Sequence, residues 1–251
     1  MVSFKHGPDS TKQHLEIGCG PGGFTRSRVL QHCLPCARLV ATDKAPDMIE
    51  AARKTSSHPS IHYDVLDVEA GDVEGFVKKY GQFDRIYSLL TWHFLGDQLK
   101  GYRNLRHLLK DGGECLVSAC IESMFLNAWL DVFLMDKWRP FVPDPRQIFS
   151  NLTSFDCGKP HSMLASEVRK LVTDAGLHCN DCQLYESRWD FADIEETLDF
   201  AFMCFDSTAR IPPEDLDEFR NAWRDRLLQK QAQPQKGFGL TFLFYVVHAS
   251  K

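Results

Sequence analysis

The sequence predicts an α/β protein built on a doubly wound, mostly parallel sheet. Short apolar segments alternate with amphipathic helical segments along most of the 251 residues, which is the pattern of a parallel sheet covered by helices. The first apolar segment ends in a glycine-rich turn, 18–23, and the next strand ends on Asp43. Ligands of such sheets bind at the carboxyl ends of the strands, so we expect the functional site there.

Seven strands are predicted, the first ending at Ile17 and the last ending the chain. The other strands and the helices follow from apolar periodicity and from Gly, Pro and Asp at their ends. Strands are predicted at 38–43, 61–68, 83–90, 114–121, 178–189 and 238–248, and helices at 24–31, 48–53, 71–79, 97–109, 162–175 and 212–231. We expect the last strand to be antiparallel. The organisation predicted is one domain, 1–251, with an aromatic helical insertion at 123–160 and an additional helical segment at 190–235.

Composition and charge exclude several classes of partner. The net charge is -5, and no run of Lys or Arg exceeds two residues, so there is no electrostatic footprint for nucleic acid or an anionic membrane. No apolar run approaches the roughly 20 residues that span a bilayer, and residues 1–12 lack the apolar core of a signal peptide. We therefore expect a cytoplasmic protein that binds a small molecule. A homodimer is compatible with the sequence, which does not determine the oligomeric state.

The glycine turn has the pattern Glu-x-Gly-x-Gly-x-Gly, formed by Glu16, Gly18, Gly20 and Gly22. Glycines permit a tight turn and a close approach of the backbone to a ligand. A carboxylate at Glu16 would repel a pyrophosphate, but it could attract the cationic amino-acid group of S-adenosylmethionine. The pattern therefore favours a methyl donor over a redox dinucleotide, and a plain strand-to-helix turn is the alternative.

Acidic residues follow the next two strands. Asp43 lies twenty-one positions after Gly22, where a carboxylate can accept hydrogen bonds from both hydroxyls of a ribose. Its alternative role is to cap the following helix. Near the end of the third strand, Asp67 is predicted to accept from an adenine amino group, and Asp64 is then a solvated turn residue.

The segment after the fifth strand is rich in aromatic residues. Phe125, Trp129 and Phe133 recur every four residues and share one helical face, a pattern that usually indicates core packing. Prolines at 140, 143 and 145 exclude one long helix, so the segment could also form an irregular aromatic cover over an apolar acceptor pocket. Both interpretations remain open.

Nine cysteines are spread over the chain, an odd number that argues against a disulfide framework. Cys33 and Cys36 form one Cys-x-x-Cys pair, and Cys179 and Cys182 form another. A single four-cysteine zinc site is the alternative, but the two pairs should fall towards opposite edges of the sheet. We expect free thiols and no metal.

These motifs together resemble those of the class I S-adenosylmethionine-dependent methyltransferases, and more narrowly those of the juvenile hormone acid O-methyltransferases. The broad resemblance rests on segments 16–22, 41–43, 48–53, 66–68 and 83–84, and the narrow one on 92–98, 104–116 and Lys137-Trp138. The family commonly has His-Trp where this chain has His93-Phe94, and it usually has a longer, helical N-terminal segment that closes over donor and acceptor. The resemblance implies a Rossmann-like fold with strand order 3-2-1-4-5-7-6 and the seventh strand antiparallel.

The resemblance also implies residue roles. S-adenosylmethionine would be the cofactor, leaving as S-adenosylhomocysteine, and an apolar acid would be the acceptor. His93 and Trp92, just after the fourth strand, would be catalytic, with His93 donating a hydrogen bond to the acceptor carboxylate; a histidine that only packs a loop is the alternative. The cofactor-binding residues would be Glu16, Gly18, Gly20, Gly22, Asp43, Lys44, Met48, Asp67, Val68 and Ser88, and the substrate-binding residues Phe94, Phe125, Trp129 and Trp138.

Three functions are therefore considered. The first is methyl transfer to the carboxylate of a sesquiterpenoid acid of the farnesoic acid or juvenile hormone acid type. The second is O-, N- or S-methylation of another apolar acceptor with His93 as general base, which predicts a rate that rises through the histidine pKa. The third is a donor- or terpenoid-binding protein with little catalysis, as expected if no N-terminal lid excludes water from the site.

Overall fold

The computed structural model describes residues 4–150, 152–153, 160–204, 210–231 and 238–251. Its strands form one seven-stranded sheet in the order β3-β2-β1-β4-β5-β7-β6. The strands are β1 (Asp9–Ile17), β2 (Cys36–Asp43), β3 (Ile61–Val65), β4 (Phe83–Leu89), β5 (Leu109–Ser123), β6 (His178–Phe191) and β7 (Phe238–Ser250). The helices are α1 (Leu30–Cys33), α2 (Pro46–Thr55), α3 (Val73–Tyr80), α4 (Gln98–Leu108), α5 (Met124–Phe133), α6 (Pro145–Ile148), α7 (His161–Asp174), α8 (Ile194–Cys204) and α9 (Leu216–Lys230).

The first five strands pair in parallel, in the order β3-β2-β1-β4-β5. The end of β7 meets the beginning of β5: Gly112 N–H donates to the Lys251 carbonyl at 3.1 Å, and Lys251 N–H donates to the Gly113 carbonyl at 3.0 Å. This pairing makes β7 antiparallel to β5. The predicted fold, a Rossmann-like sheet with an antiparallel last strand, is confirmed.

Several strand boundaries differ from the sequence prediction. β1 begins at Asp9, among polar residues, and the Gln13 side chain within it donates to the carbonyls of Tyr80 and Gln82 at 2.9 and 2.7 Å. β3 ends at Val65 rather than at residue 68. The Gln13 bonds satisfy a partly buried polar side chain within β1, so apolar periodicity alone does not define the start of this strand.

Turn and helix ends also show local hydrogen bonding. Asp97 caps α4 by accepting from Lys100 N–H, and Asp72 caps α3 in the same way from Gly75 N–H. A π-helical turn, Thr25–Val29, follows the glycine turn and leads into α1, where an ordinary helix is predicted. β5 begins at Leu109, directly after α4, so the predicted break at 111–113 lies inside the strand.

The chain divides into two compact units, Met1–Ala119 with Ser162–Gln183 and Tyr245–Lys251, and Cys120–His161 with Leu184–Phe244. In the first unit, residues of the β2 and β4 faces, including Leu39 and Tyr87, are buried with Leu30 of α1 and Ile49 of α2. Burying such a side chain contributes roughly 1.5–3 kcal/mol. The single domain 1–251 and its additions at 123–160 and 190–235 stay predictions, and parts of both additions lie outside the described residues.

The second unit is built around aromatic rings from α5, α8 and α9. Phe125 stacks on Trp223 at a centroid distance of 5.2 Å, and Phe202 stacks on Phe219 at 5.7 Å. Offset stacks of this kind contribute beyond the area that they bury. Within the described part of the chain, no helix is long and apolar enough to cross a membrane.

Candidate functional site

The glycine turn is held to the end of the neighbouring strand. Gly18 and Cys19 both donate their N–H groups to the Thr42 carbonyl, at 2.7 and 2.9 Å. The Thr42 hydroxyl donates to the Glu16 carbonyl at 2.9 Å. These bonds place the turn beside the carboxyl end of β2, where Asp43 follows.

Two of the glycines have different physical reasons for being glycine. Gly18 has φ +80°, and a Cβ on it would overlap the side chain of Thr91. Gly20 has φ +52°, and a Cβ on it would meet nothing within 4 Å. Gly18 is therefore required by packing, whereas Gly20 presents bare backbone to open space that a ligand can enter.

That open space belongs to a cavity of about 300 Å³ at the carboxyl ends of β1 to β4. The cavity contains many of the residues that the sequence predicts for cofactor and substrate, brought together from four separate loops. Its lining is Ile17, Gly18, Gly20, Asp43, Lys44, Leu66, Asp67, Val68, Glu69, Leu90, Thr91, Phe94 and Leu95.

Asp43 lies at the centre of this arrangement. Its Oδ2 accepts from Gly20 N–H at 2.9 Å, and its Oδ1 accepts from Ala45 N–H at 3.0 Å. The N-cap residue of α2 is Ala45 rather than Asp43. Because an ionised carboxylate offers about four acceptor positions, both oxygens retain capacity for the two hydroxyls of a ribose.

Asp67 and Val68 form the next part of the lining. Asp67 Oδ1 accepts from the N–H groups of Glu69 and Ala70, at 2.8 and 3.1 Å, which leaves Oδ2 outside these turn bonds. The Val68 carbonyl accepts from Asn104 Nδ2 at 2.8 Å, so the segment has a fixed position. Asp64, the alternative to Asp67, instead bonds Lys79 and Tyr80.

Open backbone at Gly20, acceptors on Asp43 and Asp67 and apolar walls fit the adenosine part of S-adenosylmethionine. The fit rests on the unfilled space over Gly20 and on unused acceptor capacity, both visible in the structure. The chemistry of the lining residues therefore agrees with the predicted cofactor.

Four predicted cofactor residues do not line this cavity. Glu16 is 3% exposed, and burial raises the pKa of its carboxyl to about 7, which weakens the argument that it attracts a cation. The Ser88 hydroxyl donates to the Ile17 carbonyl at 2.9 Å. Gly22 has φ +79° and packs against Ser56, and Met48 is an exposed residue of α2. Their assigned roles remain predictions.

Trp92 and His93 lie in a short 3₁₀ turn, Trp92–Phe94, after β4. Thr91 and Phe94 line the cavity, whereas the lining includes neither Trp92 nor His93. His93 is 8% exposed, and burial lowers the pKa of its imidazole to about 4. Trp92 is fully buried and packs on Tyr102 with ring centroids 5.0 Å apart. At pH 7 His93 is therefore neutral.

The predicted aromatic substrate residues lie in the second unit, apart from Phe94. Phe125, Trp129 and Trp138 are 3%, 1% and 2% exposed. Trp129 Nε1 donates to the Pro143 carbonyl at 3.1 Å, and Trp138 packs edge-on against Phe219 at 5.2 Å. Such burial is what core packing requires, and contact with a substrate stays a prediction.

The cysteine pairs lie on β2 and β6 or next to them, strands near opposite edges of the sheet. Seven cysteines are free thiols: Cys19, Cys33, Cys36, Cys115, Cys120, Cys179 and Cys182. Among the described residues, no group of three or more His, Cys, Asp or Glu side chains is arranged to hold a metal ion.

Comparison with known proteins identifies the part of the chain that forms this cavity. A family model described as "Methyltransferase domain" matches residues 15–115, which include the glycine turn, Asp43, Asp67 and His93. Residues 15–115 are thus similar to methyltransferase domains. The matched segment begins in β1 and ends in β5, so it contains every residue that lines the cavity.

Two of the proteins that are similar to this chain are named as O-methyltransferases. Juvenile hormone acid O-methyltransferase of Bombyx mori is 28% identical over 51% of this chain and 45% of its own length. Malonyl-[acyl-carrier protein] O-methyltransferase 1 of Ilyobacter polytropus is 34% identical over 46% of this chain and 40% of its own length. The chain thus spans less than half the length of each of these two relatives.

A solved structure agrees over nearly the whole chain. The YcgJ protein of Bacillus subtilis superposes with a TM-score of 0.60 at 14% identity, covering 97% of this chain and 93% of that one. At this identity the likeness shows the fold. The resemblance to class I S-adenosylmethionine-dependent methyltransferases, with juvenile hormone acid O-methyltransferases among them, is confirmed.

Several residues that line the cavity were not predicted to bind a ligand. Leu66 and Glu69 lie in the loop after β3, and Leu90, Thr91 and Leu95 lie in the segment after β4. The Glu69 carboxylate accepts from the N–H groups of Gly96 and Asp97, at 3.0 and 2.9 Å, and so holds two loops together. The rule that ligands bind at strand ends could have identified these residues.

Proposed function

We propose that the protein transfers the methyl group of S-adenosylmethionine to the carboxylate of an apolar sesquiterpenoid acid, of the farnesoic acid or juvenile hormone acid type. The products are a methyl ester and S-adenosylhomocysteine. The observation that carries the proposal is the hydrogen bond from Gly20 to Asp43 at the open cavity. The match of residues 15–115 to a methyltransferase family model and the two relatives named as O-methyltransferases support it.

Asp43 is the residue proposed to hold the ribose, with Gly20 giving the donor room. Asp67 and Val68 are proposed to hold the adenine, and Lys44 lies at the rim of the same cavity. The bound donor supplies an electrophilic methyl group on a positively charged sulfur. The work left to the protein is to align this methyl with the acceptor and to exclude water.

A carboxylate acceptor is already ionised at pH 7 and needs no general base. One of its oxygens forms a bond to the methyl carbon as the bond between that carbon and sulfur breaks, and no proton is transferred. Opposite charges on donor and acceptor are both lost in this step. Positioning is therefore expected to provide most of the rate enhancement.

The environment of His93 favours this acceptor over a hydroxyl. An imidazole with a pKa of about 4 is a weak base and is poorly matched to removing a proton from an alcohol at pH 7. As a neutral ring, His93 can still donate an N–H hydrogen bond to a carboxylate oxygen. We propose that it orients the acid rather than activating it.

The test is transfer of a labelled methyl group to farnesoic acid, juvenile hormone acid, dodecanoic acid and farnesol, with donor binding measured by calorimetry on the same sample. We expect ester only from the isoprenoid acids, at a rate independent of pH between 6 and 8. Product from farnesol with a rate rising through that range would favour the base-catalysed alternative. Donor binding without any product would favour a binding protein and refute the proposed reaction.

Matched variants separate the two proposed roles. Asp43→Ala should lose donor affinity, whereas His93→Ala should bind the donor normally and lose turnover with farnesoic acid. Arg103→Met, on the exposed face of α4, is the control and should change neither. If His93→Ala keeps full turnover, His93 does not orient the acid.

A further inference from the structure

A second and larger cavity lies in the first unit, on the sheet face formed by β4, β5 and β7. We call it the apolar groove, and its volume is about 840 Å³. It shares no lining residue with the cavity around Asp43. Its apolar lining includes Phe4, Phe24, Val29, Leu89, Leu116 and Val246.

The charged side chains on the described lining of the apolar groove are both cationic. They are Arg28 of the π-helical turn and Arg85 of β4. The other titratable lining residues, His6, His32 and Tyr87, carry no negative charge at neutral pH. The groove is therefore suited to a ligand that carries an anionic headgroup on an apolar chain.

Arg85 is an unusual residue in this position because it is 5% exposed. Its guanidinium lies over the Phe4 ring, 4.3 Å from the centroid, and Nη1 reaches the Tyr87 hydroxyl at 3.5 Å. Nη2 is buried and has no hydrogen-bond partner among the described residues. A buried guanidinium nitrogen without a partner is costly, and an acceptor supplied by a ligand would remove that cost.

The neighbours of Arg85 across the sheet do not supply this acceptor. The register aligns His14 of β1 with Arg85, and Arg85 with Glu114 of β5. Glu114 instead accepts from Lys5 N–H at 3.2 and 3.0 Å and bonds His248 Nε2 at 2.8 Å. His14 is fully buried and does not line the apolar groove, and both of its ring nitrogens are unpartnered in the described chain.

We propose that the apolar groove binds a long-chain carboxylate, with its headgroup on Arg85 and its hydrocarbon chain along the apolar lining. The volume lies within the roughly 300–1,000 Å³ typical of small-molecule sites. A carboxylate can accept two N–H bonds from one guanidinium, in the geometry that arginine recognises best. This site only binds the acid, and it is separate from the site proposed for methyl transfer.

The experiment measures binding of dodecanoate and of dodecanol to the full chain by calorimetry at pH 7.5. We expect dodecanoate to bind about tenfold or more tightly than dodecanol, because only the acid pairs with Arg85. Arg85→Met should abolish this preference and still fold, since an apolar residue of similar length replaces a buried guanidinium whose Nη2 has no partner in the described chain. Arg103→Met, which removes an exposed charge from α4, should leave the preference intact.

Two further variants identify where the acid binds. Leu116→Trp should fill the apolar groove and block dodecanoate, and His93→Ala tests whether dodecanoate occupies the transfer site instead. If His93→Ala abolishes binding and Arg85→Met does not, the acid occupies the transfer site and the groove proposal is wrong. Equal affinity for dodecanoate and dodecanol, or no binding of either, also overturns it, whatever the outcome of the methyl-transfer assay.

Discussion

Replacing Gly18 by alanine should separate packing from ligand binding in the glycine turn. At φ +80° an alanine costs about 1–2 kcal/mol of backbone strain. Its Cβ also overlaps the Thr91 side chain, and overpacking of this kind costs about 1–3 kcal/mol. We therefore expect Gly18→Ala to lower the free energy of unfolding by about 2–5 kcal/mol, measured by urea denaturation.

The second half of this prediction concerns Thr91. Its whole side chain causes the overlap. Thr91→Gly in the Gly18→Ala background should therefore recover the free energy of unfolding that was lost to overpacking, about 1–3 kcal/mol. Gly20→Ala is the matched control: at φ +52° with no neighbour within 4 Å, it should show the backbone strain alone, about 1–2 kcal/mol. It should nevertheless weaken S-adenosylmethionine binding about tenfold or more, because its methyl group enters the cavity. Additive effects of Gly18→Ala and Thr91→Gly would refute the packing argument.

Three other predictions follow from the same contacts. Asp43→Ala removes the acceptor of two backbone N–H bonds and should lower the free energy of unfolding by about 1–3 kcal/mol. It should also lower the affinity for S-adenosylmethionine, and an unchanged affinity by calorimetry would exclude Asp43 from the site. Burial lowers the pKa values of His14 and His93 to about 4, below the usual 6.5, so protonation opposes folding. Protonation of each histidine costs about 3 kcal/mol as the pH falls from about 6.5 to 4. Burial raises the pKa of the Glu16 carboxyl to about 7, so its protonation favours folding by a similar amount over the same range. The net loss of stability between pH 7 and pH 4 should therefore be about 3 kcal/mol; urea midpoints that do not change between pH 7 and 4.5 would contradict this. Finally, farnesoic acid should quench Trp129 or Trp138 fluorescence if the aromatic segment contacts the acceptor, and an unchanged signal at saturation would leave those rings as core.

Much of the donor cavity could be predicted because its residues belong to short segments with strong local rules. The spacing of Gly18 and Gly20, and the position of Asp43 at the end of the next strand, place these residues at one edge of any parallel sheet. Asp67 and Phe94 follow from the same rule, and all five line the cavity. The alternation of strands and helices likewise predicts the fold class without any knowledge of long-range contacts.

The direction of individual side chains could not be predicted in this way. Glu16 and Ser88 lie near the carboxyl ends of β1 and β4, where ligand-binding residues are expected. Glu16 is nevertheless buried away from the cavity, and the Ser88 hydroxyl bonds the Ile17 carbonyl. Thr91 meets Gly18 only because β4 lies next to β1. A strand alternates its two faces, so neighbouring residues have opposite environments that depend on which elements cover each face.

Local sequence patterns were therefore enough to predict the sheet, the glycine turn and the acidic residues at the strand ends, since each depends on backbone preferences over a few residues. The tertiary structure alone decided the apolar groove. Its alignment of His14, Arg85 and Glu114 arises from the register of three strands that are far apart in the sequence. Register is set by packing across the whole sheet, and burial of Arg85 without an ion pair in the described chain is a consequence that no local pattern contains.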